Sequence, residues 1–256
     1  MNTINEMKKS ILRIAHLSKN GHIASSFSCL DMLWVLYDKV INVTPRTTND
    51  KNRDRFILSK AHASLGLLVV LAEKGFIQLS ELDTYCQYNS RFGSHLNHTK
   101  INGVEFSGGS LGHGATMAIG LAAGMKMNGI DSKVYCVLGD MECNEGEIWS
   151  TALIADKFEL NNLVYLIDHN HSSDNAVNMG SIKDKFIHFG WNTDEICGHD
   201  HDQLYDALTR KTDKSKAIIC HTVKGKGCKI MENNPEWHHK APNDEELRML
   251  LEELSQ

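Results

Sequence analysis

The sequence predicts an α/β fold in which a parallel β-sheet carries helices on both faces. Three short apolar runs, at residues 133–138, 163–167 and 217–223, have the length of strands and alternate with segments of helical periodicity. Runs that are apolar throughout indicate strands buried on both faces, as in parallel sheets. Because 256 residues are long for one domain and short for two, we predict a single domain over 1–256.

The N-terminal part of the chain is predicted to be helical. Apolar residues recur at three- to four-residue spacing over 4–17, which indicates an amphipathic helix. Ser28, followed three positions later by Asp31, resembles a capping box and predicts that a second helix begins there. After a polar loop, a third helix is predicted to follow Ser59 and to end at Gly75.

The rest of the chain contains a long irregular segment and further helices. Residues 88–109 show little periodicity and many Gly, Ser, Asn and His residues, a composition typical of a functional or a disordered segment. Helices are predicted at 112–128, 145–158, 182–189 and 202–211, and a final helix is capped by Asn243 together with Glu246.

The composition excludes several classes of protein. The formal net charge of −5 gives no general attraction to nucleic acid or anionic lipid, so we expect no nucleic-acid partner and no membrane partner. The seven cysteines include no CxxC pair, which favours free thiols in a reducing cytoplasm. The first residues are too charged for a signal peptide, and no apolar run approaches the roughly 18 residues of a membrane-spanning helix.

Two predicted strands end on short polar residues. Asp140 follows the strand at 133–138, and Asn170 follows the strand at 163–167. Because ligands of parallel α/β sheets bind beyond the carboxyl ends of the strands, the two side chains would converge if the strands are neighbours. A carboxylate, an amide oxygen and backbone carbonyls suit Mg²⁺ that also takes phosphate oxygens, and Gly139 lets the chain turn. From spacing alone, the alternative stays open that Asp140 and Asn170 only cap turns.

A set of short motifs resembles one known family. Residues 139–149 read GDMECNEGEIW and, with DHN at 168–170, resemble the thiamin diphosphate motif of the transketolase family. Further segments appear in the family's order from about residue 10 to the C-terminus, at 21–22, 54–62, 93–95, 103–105, 109–114, 189–191, 198–200, 224–227 and 237–238. The chain is most similar to the N-terminal subunit of split transketolases.

The resemblance implies the thiamin diphosphate-binding fold and two cofactors, thiamin diphosphate and Mg²⁺. The implied metal ligands are Asp140, Asn170 and a backbone carbonyl near Ser172. The residues implied to contact the cofactor are His62, Leu111, Gly112, Gly139, Asp140, Met141 and Asn170.

The resemblance also implies a set of catalytic residues. Family active-site histidines, which contact the diphosphate and the sugar hydroxyls and relay protons, correspond to His22, His62, His95 and His238. Glu145 matches a glutamate in a carboxylate network at the subunit interface; the alternative is a first-turn acid favoured by the helix dipole. We interpret the histidines without such support as surface or packing residues: His98, His169, His171, His188, His201 and His239.

By the same resemblance the chain is half of an enzyme. A C-terminal partner subunit would bind the pyrimidine ring and supply the glutamate that protonates it, in an α2β2 assembly. The pair would transfer a two-carbon ketol group from a ketose to an aldose acceptor, with sugar phosphates as substrates. The alternatives are a 1-deoxyxylulose-5-phosphate-synthase-like or pathway-specific ketol transferase, the alpha subunit of a 2-oxo-acid dehydrogenase, and a non-catalytic structural subunit.

The sequence departs from the family pattern at three places. Met141 stands where the family has a second glycine, so we expect its side chain to strain the turn or crowd the phosphate. Residues 21–25 (GHIAS) have some likeness to 1-deoxyxylulose-5-phosphate synthases, and the loop at 171–178 (HSSDNAVN) also differs. Because the implied metal ligands and the four histidines are all present, the pattern favours a catalytic protein.

Overall fold

The computed structural model describes residues 3–175 and 177–255, and its centre is a five-stranded parallel sheet. The strands are β1 (Arg55–Leu58), β2 (Val134–Gly139), β3 (Leu163–His169), β4 (Asn192–Cys197) and β5 (Lys216–His221). Their spatial order is β1-β2-β3-β5-β4. The predicted parallel sheet is confirmed, and the three predicted strands correspond to β2, β3 and β5.

The sequence pattern does not predict β1 and β4. β1 is four residues long, which is too short to show a period, although it pairs with β2 along its whole length. β4 lies at one edge of the sheet with β5 as its neighbour, and its sequence NTDEIC is only partly buried. Short strands and half-solvated edge strands lack the continuous apolar run that identifies the central strands.

In the described residues, eight α-helices cover the two faces of the sheet. They are α1 (Thr3–Ser18), α2 (Ile23–Val35), α3 (Ser64–Glu73), α4 (His113–Met127), α5 (Gly146–Lys157), α6 (Ile182–His188), α7 (His201–Thr209) and α8 (Asp244–Glu253). One core lies between the sheet and α1, α2, α3, α7 and α8, and a second lies between the sheet and α4, α5 and α6. Helices on both faces are therefore confirmed. None of the described helices has the length and apolarity needed to cross a bilayer.

The capping box predicted at Ser28 and Asp31 is wrong. Helix α2 begins at Ile23, so both residues lie inside it, and both are buried. The Ser28 hydroxyl donates to Asp168 Oδ1 at 2.8 Å, and the Asp31 carboxylate pairs with two histidine rings. The spacing resembles a cap, but α2 is buried along almost its whole length and its polar side chains bond to other elements instead.

The fold brings the ends of β2 and β3 together. The two strands are parallel neighbours with Gly139 opposite Asp168, so the segments after them leave the sheet at the same edge. The C-terminal segment returns to the start of α2, where Lys240 pairs with His22 through a parallel bridge. Segments that are far apart in sequence thus surround the carboxyl ends of the central strands.

Candidate active site at the strand ends

A cavity of about 740 Å³ opens at the carboxyl ends of β2, β3 and β5. Small-molecule sites have volumes of roughly 300–1,000 Å³, so the cavity has the size of a ligand site. Much of its lining comes from the segments at 60–62, 139–142, 170–172, 222–224 and 233–235, together with His238. This edge is also where open parallel sheets bind their ligands.

The polar residues predicted at the strand ends lie together. Asp140, Asn170 and Ser172 all line the cavity. Asn170 Oδ1 accepts hydrogen bonds from the Ser172 N–H at 3.1 Å and from its hydroxyl at 2.5 Å. Asp140 Oδ1 accepts from the Met141 N–H at 2.8 Å, and Oδ2 accepts from the Ser173 N–H at 3.4 Å. The resulting cluster of oxygen atoms is the donor set that a hard cation such as Mg²⁺ takes.

The electrostatics of Asp140 also fit a cation. The residue is 2% exposed, and this burial raises the pKa of its carboxyl even though Lys60 opposes the rise. Holding a buried carboxylate in its charged form costs free energy unless another charge or a metal offsets it. A cation bound to Asp140 would remove that cost.

A buried ion pair lies next to the cavity. Asp168, near the end of β3, has no exposed surface and pairs with Lys60, which lines the cavity. The same carboxylate accepts hydrogen bonds from the hydroxyls of Ser28 and Thr222. Burial is the largest single effect on Lys60 and lowers its pKa, but the charge and hydrogen bond of Asp168, together with Cys29 and Asp140, outweigh burial, so the net effect raises this pKa. The charged pair and its two hydroxyl donors therefore connect β3 with α2, with the residue that follows β5 and with the segment after β1.

Lys224 provides a second cation in the cavity. Its Nζ lies 3.1 Å from the Ser172 hydroxyl and 3.3 Å from His238 Nδ1, and within the described part of the chain no carboxylate lies within 4.0 Å of it. Burial lowers the pKa of Lys224, and the charge of Lys60 lowers it further. A partly buried lysine without a carboxylate partner is suited to a phosphate group. The motifs at 54–62 and 224–227 contain both lysines, but a motif does not reveal which side chains enter a cavity.

The four histidines predicted as catalytic form one group, here called the histidine group. The ring centroid of His62 lies 4.1 Å from that of His22, 6.0 Å from that of His95 and 5.7 Å from that of His238. His62 and His238 line the cavity, whereas His22 and His95 lie beside it. His239, interpreted from sequence as a surface or packing residue, is exposed but stacks on His22 at 4.4 Å.

The central rings of the histidine group are neutral at neutral pH. Burial, with a contribution from the neighbouring imidazoles, lowers the pKa of His22 to about 3 and that of His62 to about 4. Burial also lowers the pKa of His238, and the charge of Lys224 contributes. A neutral imidazole offers one donor and one acceptor, so these rings suit hydroxyl groups of a ligand.

We expect acid to destabilise the folded chain as the pH falls from about 6.5 towards about 4. The pKa values of His22 and His62 in the folded chain lie below the ordinary value of 6.5, so the unfolded chain binds more protons across this window. The free energy of unfolding should therefore decrease with falling pH. Replacing one ring with an uncharged amide, in His62→Gln, should make this decrease smaller when urea unfolding is measured at several pH values.

The matched control is His188→Gln, which removes an exposed histidine of α6. This variant should keep the pH dependence of the unmodified chain, because it removes a surface histidine that lies outside the histidine group. An identical pH dependence for His62→Gln and the unmodified chain would contradict the assignment of neutral rings.

Glu142 holds the glycine-rich segment at 109–114 against the end of β2. It is 2% exposed, and its Oε1 accepts from the Ser59 hydroxyl at 2.6 Å and from the Gly112 N–H at 2.9 Å. Its Oε2 accepts from the Gly139 N–H at 2.9 Å. Gly112 has a φ of +80°, a conformation that suits glycine, and the adjacent Leu111 lines the cavity. Glu142 lies within the motif at 139–149, but nothing in its spacing indicates this role.

The expected strain at Met141 is wrong. Its φ is outside the left-handed region, and it lies in a short 3₁₀ turn, Asp140–Asn144, that accommodates any L-residue. The Met141 N–H donates to Asp140 within that turn. Crowding of a phosphate by the side chain, which lines the cavity, stays a prediction.

Glu145 lies outside the cavity. It directly precedes α5 and is partly buried. Its side chain lies close to Gly112, because a Cβ atom built on Gly112 would lie 3.4 Å from the Cβ of Glu145. Glu145 is the N-cap residue of α5 and Glu147 is the acid in its first turn, so the interpretation of Glu145 as a first-turn acid is wrong. The interface role stays a prediction.

The sequence matches the model of a protein family described as "Transketolase, thiamine diphosphate binding domain" over residues 2–255. Two relatives are each named as a subunit of apulose-4-phosphate transketolase. The relative from Phocaeicola vulgatus is 33% identical over 257 residues, which cover 97% of this chain and 91% of that protein. The relative from Actinobacillus succinogenes is 34% identical over 254 residues, which cover 96% of this chain and 92% of that protein.

A solved structure of the same fold is much longer than this chain. The transketolase from Campylobacter jejuni superposes with a TM-score of 0.89 at 27% identity, covering 100% of this chain and 43% of that chain. This chain therefore spans less than half of that transketolase, but nearly all of the relatives from Phocaeicola vulgatus and Actinobacillus succinogenes. The fold implied by the sequence resemblance is confirmed.

Proposed function

The chain belongs to the transketolase family and matches its thiamine diphosphate binding domain, and we propose that it is the N-terminal subunit of a two-chain transketolase. It binds thiamin diphosphate and Mg²⁺ and, with a C-terminal subunit, transfers a two-carbon ketol group from a ketose phosphate to an aldose acceptor. The observation that carries this proposal is that one cavity joins the oxygen donors at the strand ends to the histidine group.

The residues at the strand ends fit the two cofactors. Asp140, the Asn170 amide oxygen and a backbone carbonyl near Ser172 would hold Mg²⁺, because hard cations take oxygen ligands. Lys224 would face the diphosphate, since its charge has no carboxylate partner within the described residues. When bound, thiamin diphosphate supplies an electron sink for cleavage of the ketose carbon–carbon bond.

The chain's own residues hold and orient the substrate in this proposal. Neutral rings of the histidine group accept and donate hydrogen bonds to sugar hydroxyls, and His62 and His238 reach the cavity directly. The same rings move protons to and from hydroxyl oxygens as the ketose is cleaved and the acceptor is extended. Glu142 keeps Leu111 and Gly112 at the cavity wall through its bonds to Gly112 and Ser59.

An exposed apolar face supports the proposal of a partner. Helices α4 and α5 pack against each other. Exposed apolar side chains on these helices and just after α5 are Met117 (47%), Met127 (87%), Leu153 (58%), Ile154 (40%) and Phe158 (56%). Large exposed apolar patches are typical of protein interfaces. We propose that this face joins an α2β2 assembly with the C-terminal subunit. Both relatives are named as one subunit of their transketolase, which is consistent with a second chain.

The proposed substrates are sugar phosphates, and the proposed compartment is the cytoplasm. Both relatives carry apulose-4-phosphate in their names, which supports a phosphorylated sugar without assigning one here. All seven cysteines are free, as expected for a reducing compartment.

The proposal is tested by reconstituting the chain with its C-terminal subunit, thiamin diphosphate and Mg²⁺. The pair should release an aldose phosphate from a ketose phosphate only when an aldose acceptor is present, and neither chain should do so alone. If pyruvate is decarboxylated instead, the synthase-like alternative replaces ketol transfer. If neither reaction occurs although both chains associate, the chain is a structural subunit.

A further inference from the structure

A second cluster of histidines lies outside the histidine group. His169 and His221 are opposite each other at the ends of β3 and β5, and His171 follows two residues after His169. The ring centroid of His169 lies 4.3 Å from the centroid of His171 and 5.1 Å from the centroid of His221. Because alternate side chains of a strand face opposite sides, His169 points away from the side on which Asp168 meets α2.

The three rings can place one nitrogen each around a common point. One nitrogen of each ring lies within 4.8 Å of the corresponding nitrogens of the other two. Three imidazole nitrogens are a frequent ligand set for Zn²⁺ and similar transition-metal ions, whereas Mg²⁺ prefers oxygen. The cluster therefore differs in chemistry from the oxygen site at Asp140.

Carboxylates already orient two of the three rings. His171 Nδ1 lies 3.0 Å from Asp174 Oδ2, and His221 Nε2 lies 2.8 Å from Glu195 Oε1. Histidines that bind metals typically donate the other ring N–H to a carboxylate, which fixes the tautomer and makes the ligating nitrogen more basic. These bonds leave Nε2 of His171 and Nδ1 of His221 as the ring nitrogens that no carboxylate engages, and a metal would use these two atoms. The two carboxylates also offset the charge of a divalent cation.

The third ring has a polar atom that the protein leaves unpaired. His169 Nδ1 is buried and has no hydrogen-bond partner among the described residues. Leaving such an atom without a partner costs free energy, and a bound ion that uses this nitrogen removes the cost. His171 also adopts a φ of +63°, which is uncommon for a residue other than glycine, and this conformation keeps its ring near His169.

We propose that His169, His171 and His221 bind a divalent transition-metal ion such as Zn²⁺, at a site separate from the oxygen cluster of the cavity. Three protein ligands leave a fourth coordination position for water or another ligand. The ion links the start of the loop after β3 to the end of β5. Since His171 also lines the cavity, the metal fixes one part of the cavity wall.

The test is calorimetric titration of the metal-stripped full-length chain with Zn²⁺ in excess Mg²⁺. The unmodified chain should bind one equivalent that His221→Gln loses or binds at least tenfold more weakly. Glu195→Gln, which removes the carboxylate that orients His221 and that also pairs with Lys183, should weaken the same equivalent by about 10–100-fold. Co²⁺ should give visible absorption bands of nitrogen coordination in the unmodified chain and not in His221→Gln.

The matched control is His238→Gln, because His22, His62 and His238 also bring ring nitrogens within 4.8 Å of one another. This variant should retain the equivalent that His221→Gln loses. Zn²⁺ binding that persists in His221→Gln and disappears in His238→Gln would overturn the proposal, as would no stoichiometric binding by the unmodified chain. Circular dichroism without metal establishes that each variant is folded. Because the Glu195 side chain is partly exposed, Glu195→Gln is the variant whose fold should be least affected.

Discussion

Asp140→Ala is expected to abolish the stabilisation of this chain by thiamin diphosphate and Mg²⁺. With both ligands at about 100 times their dissociation constant, the unmodified chain should gain about 2.7 kcal/mol in free energy of unfolding. For a domain of this size, the melting temperature should rise by roughly 5–10 °C. The variant should show no rise, because it lacks the carboxylate at the centre of the oxygen cluster.

The loss should come from ligand binding and not from damage to the fold. Burial raises the pKa of Asp140, so its charged form opposes folding above that pKa. Relief of this cost offsets the loss of the hydrogen bonds from Met141 and Ser173, so the melting temperature without ligands should change little. The matched control is Asp131→Ala, which removes an exposed carboxylate before β2 and should keep the full rise.

Differential scanning fluorimetry with Mg²⁺ alone, thiamin diphosphate alone and both together separates the contributions. The full rise should need both ligands. A rise of equal size in Asp140→Ala would contradict the proposed role of this residue as a metal ligand. If the unmodified chain shows no rise, the scan is repeated with the C-terminal subunit, and a second failure would refute cofactor binding at this site.

Lys60→Met should lower the free energy of unfolding by about 3–5 kcal/mol, the usual cost of leaving one member of a buried ion pair without its partner. The side chain of Asp168 has no exposed surface and that of Lys60 is 11% exposed, so water can solvate the unpaired Asp168 carboxylate only weakly. Two hydroxyl donors, from Ser28 and Thr222, would remain on the carboxylate. Urea unfolding measures the change in free energy.

Lys74→Met is the matched control for the same substitution at a surface pair. Lys74 lies 3.0 Å from Asp38, and both side chains are about one-third exposed (29% and 32%). Such pairs contribute about 0–1 kcal/mol, so this variant should change stability little. Adding Asp168→Asn to Lys60→Met should restore part of the loss, because it removes the stranded charge. Equal losses in Lys60→Met and Lys74→Met would show that the pair beside the cavity is not effectively buried.

Local pattern predicted much of the fold and the central part of the site. β2, β3 and β5 are apolar along their length, so their composition alone marked them as strands. Asp140 and Asn170 follow two of these strands, and the general geometry of parallel sheets brings such positions together. The edge strand β4 was not predicted, because its residues are partly exposed and include no apolar run.

The sequence by itself determined the layer architecture, the positions of the central strands and, through motifs in a fixed order, the family. Only the tertiary structure decided that Ser28 bonds to Asp168, that Lys60 is buried against the same carboxylate, and that His169, His171 and His221 meet. The reason is physical. Periodicity reports how a residue faces within its own helix or strand, whereas these contacts depend on which strands are neighbours and on where distant loops return.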